Sequence, residues 1–340
     1  MPGAPRVRLD HLRLLTDDTG LIQHAAHSVP RRESGYATDD NARALVLTAR
    51  ASRGRLAADA AALAPIYLAY LAHAQRPDGL FHNFMSYERT WLDEAGSEDC
   101  QGRAAWACAE VLAGNLPTGL KRMARELLDR LRPRLSALTS ARGAALTLIA
   151  VGREPPDRRA EDRGLALAAA QRLHHLYAAC RHHDWHWFEP VLTYANARLP
   201  EAMIAAHDMF GESDDLEIAL ESLAFLTDVT FRDGVFVPIG NRRWYERGRW
   251  RSEFDQQPIE AACTASALMA AWRATGLRRH RAEARRALDW FHGRNALHTN
   301  VADPARGACH DGIGADGVNT NEGAESTVLY LLALQDYARR

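Results

Sequence analysis

Nowhere does this 340-residue chain hold an apolar run near the roughly 20 residues of a membrane span, so a membrane-spanning protein is not expected. Its first residues, Met1-Pro2-Gly3-Ala4-Pro5-Arg6, lack the apolar stretch of a secretory leader, and a cytoplasmic location is the expectation. Cysteine is scarce: the five residues Cys100, Cys108, Cys180, Cys263 and Cys309 are odd in number and form no CxxC pair. Several fall inside apolar helical patterns and read as reduced core residues. Charge of either sign is not in excess, with 42 Lys plus Arg against 43 Asp plus Glu, which leaves no global field to attract nucleic acid or an anionic membrane. A neutral partner is expected. GxSxG, P-loop and GxGxxG motifs are missing from any strand-to-helix context, so serine hydrolases, nucleoside triphosphatases and dinucleotide-binding folds lack their basic parts. No Pro/Ser linker or low-complexity segment interrupts the chain, and residues 1–340 are expected to form one domain.

What is present is helix. With 47% hydrophobic and 25% charged residues the chain has the composition of a globular protein with a large core. Leu63, Ile66, Tyr67, Tyr70 and Leu71 recur at i, i+3, i+4, i+7 and i+8, one apolar face of an α-helix. Met123, Leu127, Leu128, Leu131 and Leu135 repeat the pattern, as do Ile259, Cys263, Ala267 and Ala270. Eleven or twelve such segments are expected.

The connections alternate in character. Long loops rich in Gly, Pro, His, Asp and aromatic residues precede helices expected near 39, 99, 194, 256 and 322, and a short break precedes one near 141. The return links are brief. Six loop-led helices, each followed by a partner, suit an all-α ring of six hairpins, an (α/α)6 toroid whose long loops open on one face. Residues 79–92 and 234–252 mix β-formers with turn residues and are expected to form short β-hairpins in those loops.

Four polar clusters stand at the starts of loop-led helices. Around Tyr36, Thr38, Asp39, Asp40, Asn41 and Arg43, Thr38 or Asp39 would cap a helix; capping alone explains acids there, but the density of Tyr36, Asn41 and Arg43 favours a site. In Ser97-Glu98-Asp99-Cys100-Gln101-Gly102-Arg103, Ser97 is a natural N-cap, Gly102 admits a close neighbour, and Arg103 offers a planar fork. The third cluster is Glu253-Phe254-Asp255-Gln256-Gln257-Pro258-Ile259-Glu260, with Pro258 in the first helical turn and amides suited to hydroxyl recognition. In the fourth, Glu322 and Glu325 are three residues apart, on one face of the last helix.

Trp91, Trp185, Trp187, Trp244 and Trp250 lie in or beside loops, where stacking on an apolar sugar face is one use of such side chains and core packing the other. The segment His182-His183-Asp184-Trp185-His186-Trp187-Phe188-Glu189 holds metal-ligand residue types, but its spacing matches no defined site; a hydrogen-bonding wall is expected, with no metal and no cofactor.

At these clusters, GYATDDNARAL, SEDCQGRAAWA, FEPVLTYANARLPEA, FDQQPIEA and NEGAEST resemble a family of bacterial proteins found alone or joined to glycosyltransferase domains, and more distantly the six-hairpin glycosidase superfamily. The resemblance spans nearly the whole chain. It implies the toroid and a sugar ligand, and leaves the reaction open among hydrolysis, phosphorolysis and 2-epimerisation. Glycosidic cleavage commonly uses two carboxyl groups. The leading expectation is therefore a glycoside hydrolase or phosphorylase acting on a neutral manno- or gluco-oligosaccharide, with inversion favoured by analogy. Asp40 and Asp99 are first candidates for acid and base, and Asp255 or Glu322 second. Tyr36, Asp39, Asn41, Arg43, Glu98, Arg103, Trp187, Gln256, Gln257, Glu260 and Glu325 would bind the sugar. The alternatives are an epimerase or isomerase of the N-acylglucosamine 2-epimerase type, using a histidine such as His186 or His310, and a non-catalytic glycan-binding domain partnering a glycosyltransferase.

Overall fold

The computed structural model describes residues 5–339; Met1 to Ala4, where the leader reading begins, and Arg340 lie outside the described residues. Among the described residues there are thirteen helices: α1 (Asp10–Leu15), α2 (Thr38–Ala51), α3 (Ala57–Ala74), α4 (Glu98–Ala113), α5 (Thr118–Leu135), α6 (Ala141–Arg153), α7 (Pro156–Glu161), α8 (Arg163–Cys180), α9 (Arg198–Phe210), α10 (Ser213–Thr230), α11 (Pro258–Thr275), α12 (Arg278–Asp289) and α13 (Ala324–Ala338). None is long and apolar enough to cross a membrane.

The chain forms two compact units, Leu12–Arg172 on the one hand and Leu173–Arg340 with the residues through His11 on the other. In the first, α2 packs on α3 and α4, and α4 on α5 and α6. The close approach of α4 to α6 has a cause in sequence: a Cβ on Gly102 would stand 2.6 Å from the Cβ of Leu146, so only glycine fits there. Outer helices are amphipathic, as the periodicity predicts. On α5, Leu127, Leu128, Leu131 and Leu135 are buried; Met123, counted on that face, is exposed, and Ala124 takes its place inside. In the second unit α11 packs on α9, α12 and α13, and α9 on α10. Its interior helices are buried nearly all round, through the small residues Ala261, Ala262, Ala265, Ala267 and Ala271 on α11.

Helix starts fall where the loops predict, with one displacement. The helix expected near 194 begins at Arg198, because Ala195 has φ of 48° and the turn is tied by Asn196, whose amide bonds both the N–H and the C=O of Thr193. The β-rich loops also differ from expectation. Phe84–Met85 pairs with Tyr36–Ala37 rather than within residues 79–92, although an isolated Met85–Trp91 bridge does close that loop. Tyr245–Glu246 pairs with Val191–Leu192, and Val235–Phe236 with Phe231–Arg232. Their backbone groups find partners in neighbouring segments that periodicity does not reveal.

None of the five cysteines is in a disulfide: four are buried and Cys180 is half-buried.

Candidate functional site

In the first unit the polar residues gather around the start of α2. Gly35 leads into it with φ of 64°, where a Cβ would lie 2.1 Å from the carbonyl oxygen of Met85. The helix has no side-chain cap of its own, since Ala37 occupies the N-cap position. Asn83, from the paired loop, supplies the cap instead: its backbone oxygen accepts from Thr38 N at 2.8 Å and its Oδ1 from Asp39 N at 3.1 Å. Thr38 bonds the carbonyl of His82. The expected capping role of Thr38 or Asp39 is thereby corrected, and the Asp39 and Asp40 carboxylates are released from it.

Two arginines take those carboxylates. Arg103 Nη1 donates to Asp39 Oδ1 at 2.9 Å, and Nη2 lies 3.4 Å from Asp99 Oδ2. Arg43 Nη1 donates to Asp40 at 2.8 Å. One guanidinium thus joins the starts of α2 and α4. All five side chains are largely buried, and Asp39 is the most open carboxylate of the three, with 18% of its side chain exposed against 9% for Asp99 and 7% for Asp40. Burial alone would push the Asp39 carboxyl up; the charges of Arg103 and Arg43, with hydrogen bonds from Arg103 and Asn83, more than offset this and hold it below the ordinary carboxylate value. Such a group is ionised at neutral pH and can accept a proton, attack a carbon centre, or bind hydroxyls.

Three of the residues expected to bind sugar in this unit are engaged by other parts of the fold. Glu98 holds the start of α6, its carboxylate accepting from the Thr139 N–H and hydroxyl and from Ser140 N. Burial pushes its carboxyl up, but these Ser140 and Thr139 donors prevail and depress it. Asn41 is fully buried, with Oδ1 accepting from Leu21 N and Nδ2 donating to Ala37 O. Tyr36 is 1% exposed and donates to Asp17, its ring stacked on Tyr87; burial, then the bond to Asp17, raises its phenol far above the ordinary value. Ser97 does cap α4.

In the second unit the remaining candidates are separately held. Glu322 is gripped bidentately by Arg306 at 2.6 and 3.0 Å; His11 Nε2 lies 3.6 Å and His310 Nδ1 4.0 Å from its oxygens. Asp255 is open to solvent and paired with Arg242 at 3.2 Å. Gln257 is half-buried at the N-cap position of α11, and Glu325 is half-buried in the first turn of α13. Three more of the residues expected to bind sugar are enclosed within the fold. Gln256 is fully buried, its amide accepting from Trp290 Nε1 at 3.0 Å and donating to Glu253 O. Glu260 takes the Ala195 N–H and the Asn196 amide, and so fixes the turn before α9. Trp187 has no exposed surface, lying edge-on to Phe188 and tilted against Phe225, so no face is open to stack on a sugar.

Asn83, Arg306 and Asn196 are the residues that sequence reasoning missed. Each lies in an irregular loop and acts on a group 16 to 64 positions away, so only its residue type, an amide or a fork beside a turn, was available as a signal.

No family model matches the chain, and no curated protein matches it. Solved structures do. A cellobiose 2-epimerase from Bacillus thermoamylovorans superposes with a TM-score of 0.74 at 11% identity, over 96% of each chain. A sugar epimerase from a ruminal bacterium gives 0.73 at 12% identity, over 96% of this chain and 94% of that one. An α-1,6-mannanase of the GH76 class from a Salegentibacter species gives 0.62 at 13%, over 97% and 96%. The chain has their fold, the (α/α)6 toroid. The mannanase is also described with α-1,6-mannotetrose in an inactive variant that lacks two consecutive aspartates.

Proposed function

We propose that the chain is one carbohydrate-active domain over 1–340 that cleaves a glycosidic bond in a neutral manno- or gluco-oligosaccharide, by hydrolysis or phosphorolysis. The observation that carries this reading is the cap supplied by Asn83, which frees two consecutive aspartates at the start of α2 for Arg103 and Arg43 to position. Consecutive aspartates are also what the inactive mannanase variant lacks. Asp39, the most open and ionised, acts as base or nucleophile, with Asp99, on the longer arm of the same fork, as the second carboxyl group of the pair. Asp40 braces Arg43 beside them. Asp39, assigned to binding by sequence alone, thus replaces Asp40 as first candidate.

The test is single substitution to the amide, Asp39→Asn and Asp99→Asn, with Asp40→Asn, Asp255→Asn and Glu322→Gln alongside. Turnover is measured on α-1,6-manno- and gluco-oligosaccharides with and without phosphate. Loss of about 10²- to 10⁴-fold in the first two is expected; full activity in both refutes the assignment.

A second reading is favoured by His310, whose Nδ1 faces the arginine-bound Glu322, and by the epimerases among the structural neighbours. It is sugar epimerisation by proton abstraction next to a carbonyl. Incubation of free mannose, glucose and cellobiose in deuterated water separates the two: epimerisation incorporates deuterium at carbon, whereas cleavage leaves carbon-bound hydrogen untouched.

A further inference from the structure

Outside the acidic cluster, the segment that follows α8 makes a construction of its own. Backbone bonds between His182 and Trp185, at 2.9 and 3.1 Å, close a tight turn. Both of its ends are anchored. Arg181 is held by Glu221 at 2.8 and 3.2 Å, and Trp185 is buried between the rings of Phe225 and Tyr245, its Nε1 donating to Glu189 O at 2.8 Å. His186 completes the far side with Nδ1 2.8 Å from Glu221. The backbone between these anchors has little freedom, so the three side chains it presents are held in register.

Those side chains, His182, His183 and Asp184, converge. His183 Nδ1 lies 2.6 Å from His182 Nδ1, His182 Nδ1 2.9 Å from Asp184 Oδ1, and His183 Nδ1 3.6 Å from the same oxygen. Two imidazole nitrogens and a carboxylate approach this closely only around something electropositive, a ring N–H proton shared among them or a metal ion. Ligand atoms bonded at about 2.1 Å to one ion stand about 3.0 to 3.4 Å apart, and the three separations here bracket that range. All three groups are well exposed, so an ion in solution reaches them.

We propose that His182, His183 and Asp184 form a surface site for a divalent late first-row transition ion such as Co²⁺, Ni²⁺ or Zn²⁺. Two imidazoles with one carboxylate are a borderline donor set that suits those ions and is poor for Mg²⁺ or Ca²⁺, which take oxygen. Three protein ligands on one side leave the remaining positions to water. The turn explains why the sequence spacing misleads: three consecutive residues ordinarily diverge, and only the 182–185 closure folds them onto one side. The site is independent of the proposed sugar chemistry.

The test uses the full chain without a histidine tag, titrated calorimetrically with CoCl₂, NiCl₂ and ZnCl₂ and followed by the visible absorption of bound Co²⁺. One saturable site per chain is expected, weakened about tenfold or more by His182→Ala, His183→Ala or Asp184→Asn, and weakened on acidification because protons compete for imidazole. His175→Ala, at another exposed histidine, should leave binding unchanged. No saturable binding would leave a shared proton as the explanation, and binding intact in a His182→Ala/His183→Ala double variant would place the ion elsewhere; either overturns the site. Circular dichroism of the variants checks folding, which these exposed changes should not disturb.

Discussion

Arg103 holds carboxylates from two helix starts in one plane, and no other basic side chain reproduces that geometry. Lysine keeps the charge as a single point and loses the fork. Arg103→Lys should therefore lower kcat by about 100-fold, through misplacement of Asp39 and Asp99, while the melting temperature changes little; an unchanged kcat on a substrate that the wild-type protein cleaves would show that the carboxylates need no such holding. Trp187 makes the opposite case at this scale. Its enclosure against Phe188 and Phe225 predicts that Trp187→Ala costs about 3–5 kcal/mol in urea unfolding. Trp187→Phe should keep KM near the wild-type value, whereas a KM rise with intact stability would restore the stacking role.

At the scale of elements, helix starts in this protein are commonly capped by residues from elsewhere. Asn83 caps α2, Glu98 holds the start of α6, and Asp311 accepts from Gly323 N and Ser326 at α13. Asn83→Ala should cost about 1 kcal/mol and loosen α2 together with Asp39. The two ends of α6 respond to pH in opposite senses. Glu98 has a depressed carboxyl, so its contribution is complete above the ordinary value of 4.5 and is lost as pH falls through its lower folded value. Glu154, after the last turn, is pushed up to about 8 by burial first and then by the charge of and hydrogen bond with Asp162, against the opposing pull of Arg132. A raised carboxyl stabilises fully below 4.5 and loses that contribution as pH climbs towards about 8. Denaturation from pH 5 to 8 should show falling stability in the wild-type protein and a flatter profile in Glu154→Gln; an identical slope in both would remove Glu154 as the cause.

Over the whole molecule, a net charge of −1 leaves no field to steer a partner, and Lys121 is the sole lysine, so nearly every cation is an arginine able to grip a carboxylate in a plane. For a neutral oligosaccharide, KM should change less than about threefold between 50 and 500 mM NaCl. A steep rise with salt would point to an anionic substrate. The helical architecture was legible in advance because burial of one helix face imposes a 3.6-residue period that neighbouring residues carry themselves. Alternation of long and short links placed the starts of α2, α4, α6, α11 and α13 within two residues of where they fall. Strand pairing was not legible: Phe84–Met85 meets Tyr36–Ala37 across more than forty residues, and nothing local specifies that partner.

Sequence alone determined that the chain is helical, that acids and arginines stand at helix starts, and that no apolar run reaches the length of a membrane-crossing helix, since each is a property of residues adjacent in the chain or one turn apart. Only tertiary structure decided which of those acids serve the fold and which are held in reserve. Asp39 and Glu98 look alike as acids in a first helical turn. One meets a guanidinium and the other meets the backbone N–H groups of Thr139 and Ser140 just before α6, and those partners are brought by packing from 64 and about 41 positions away.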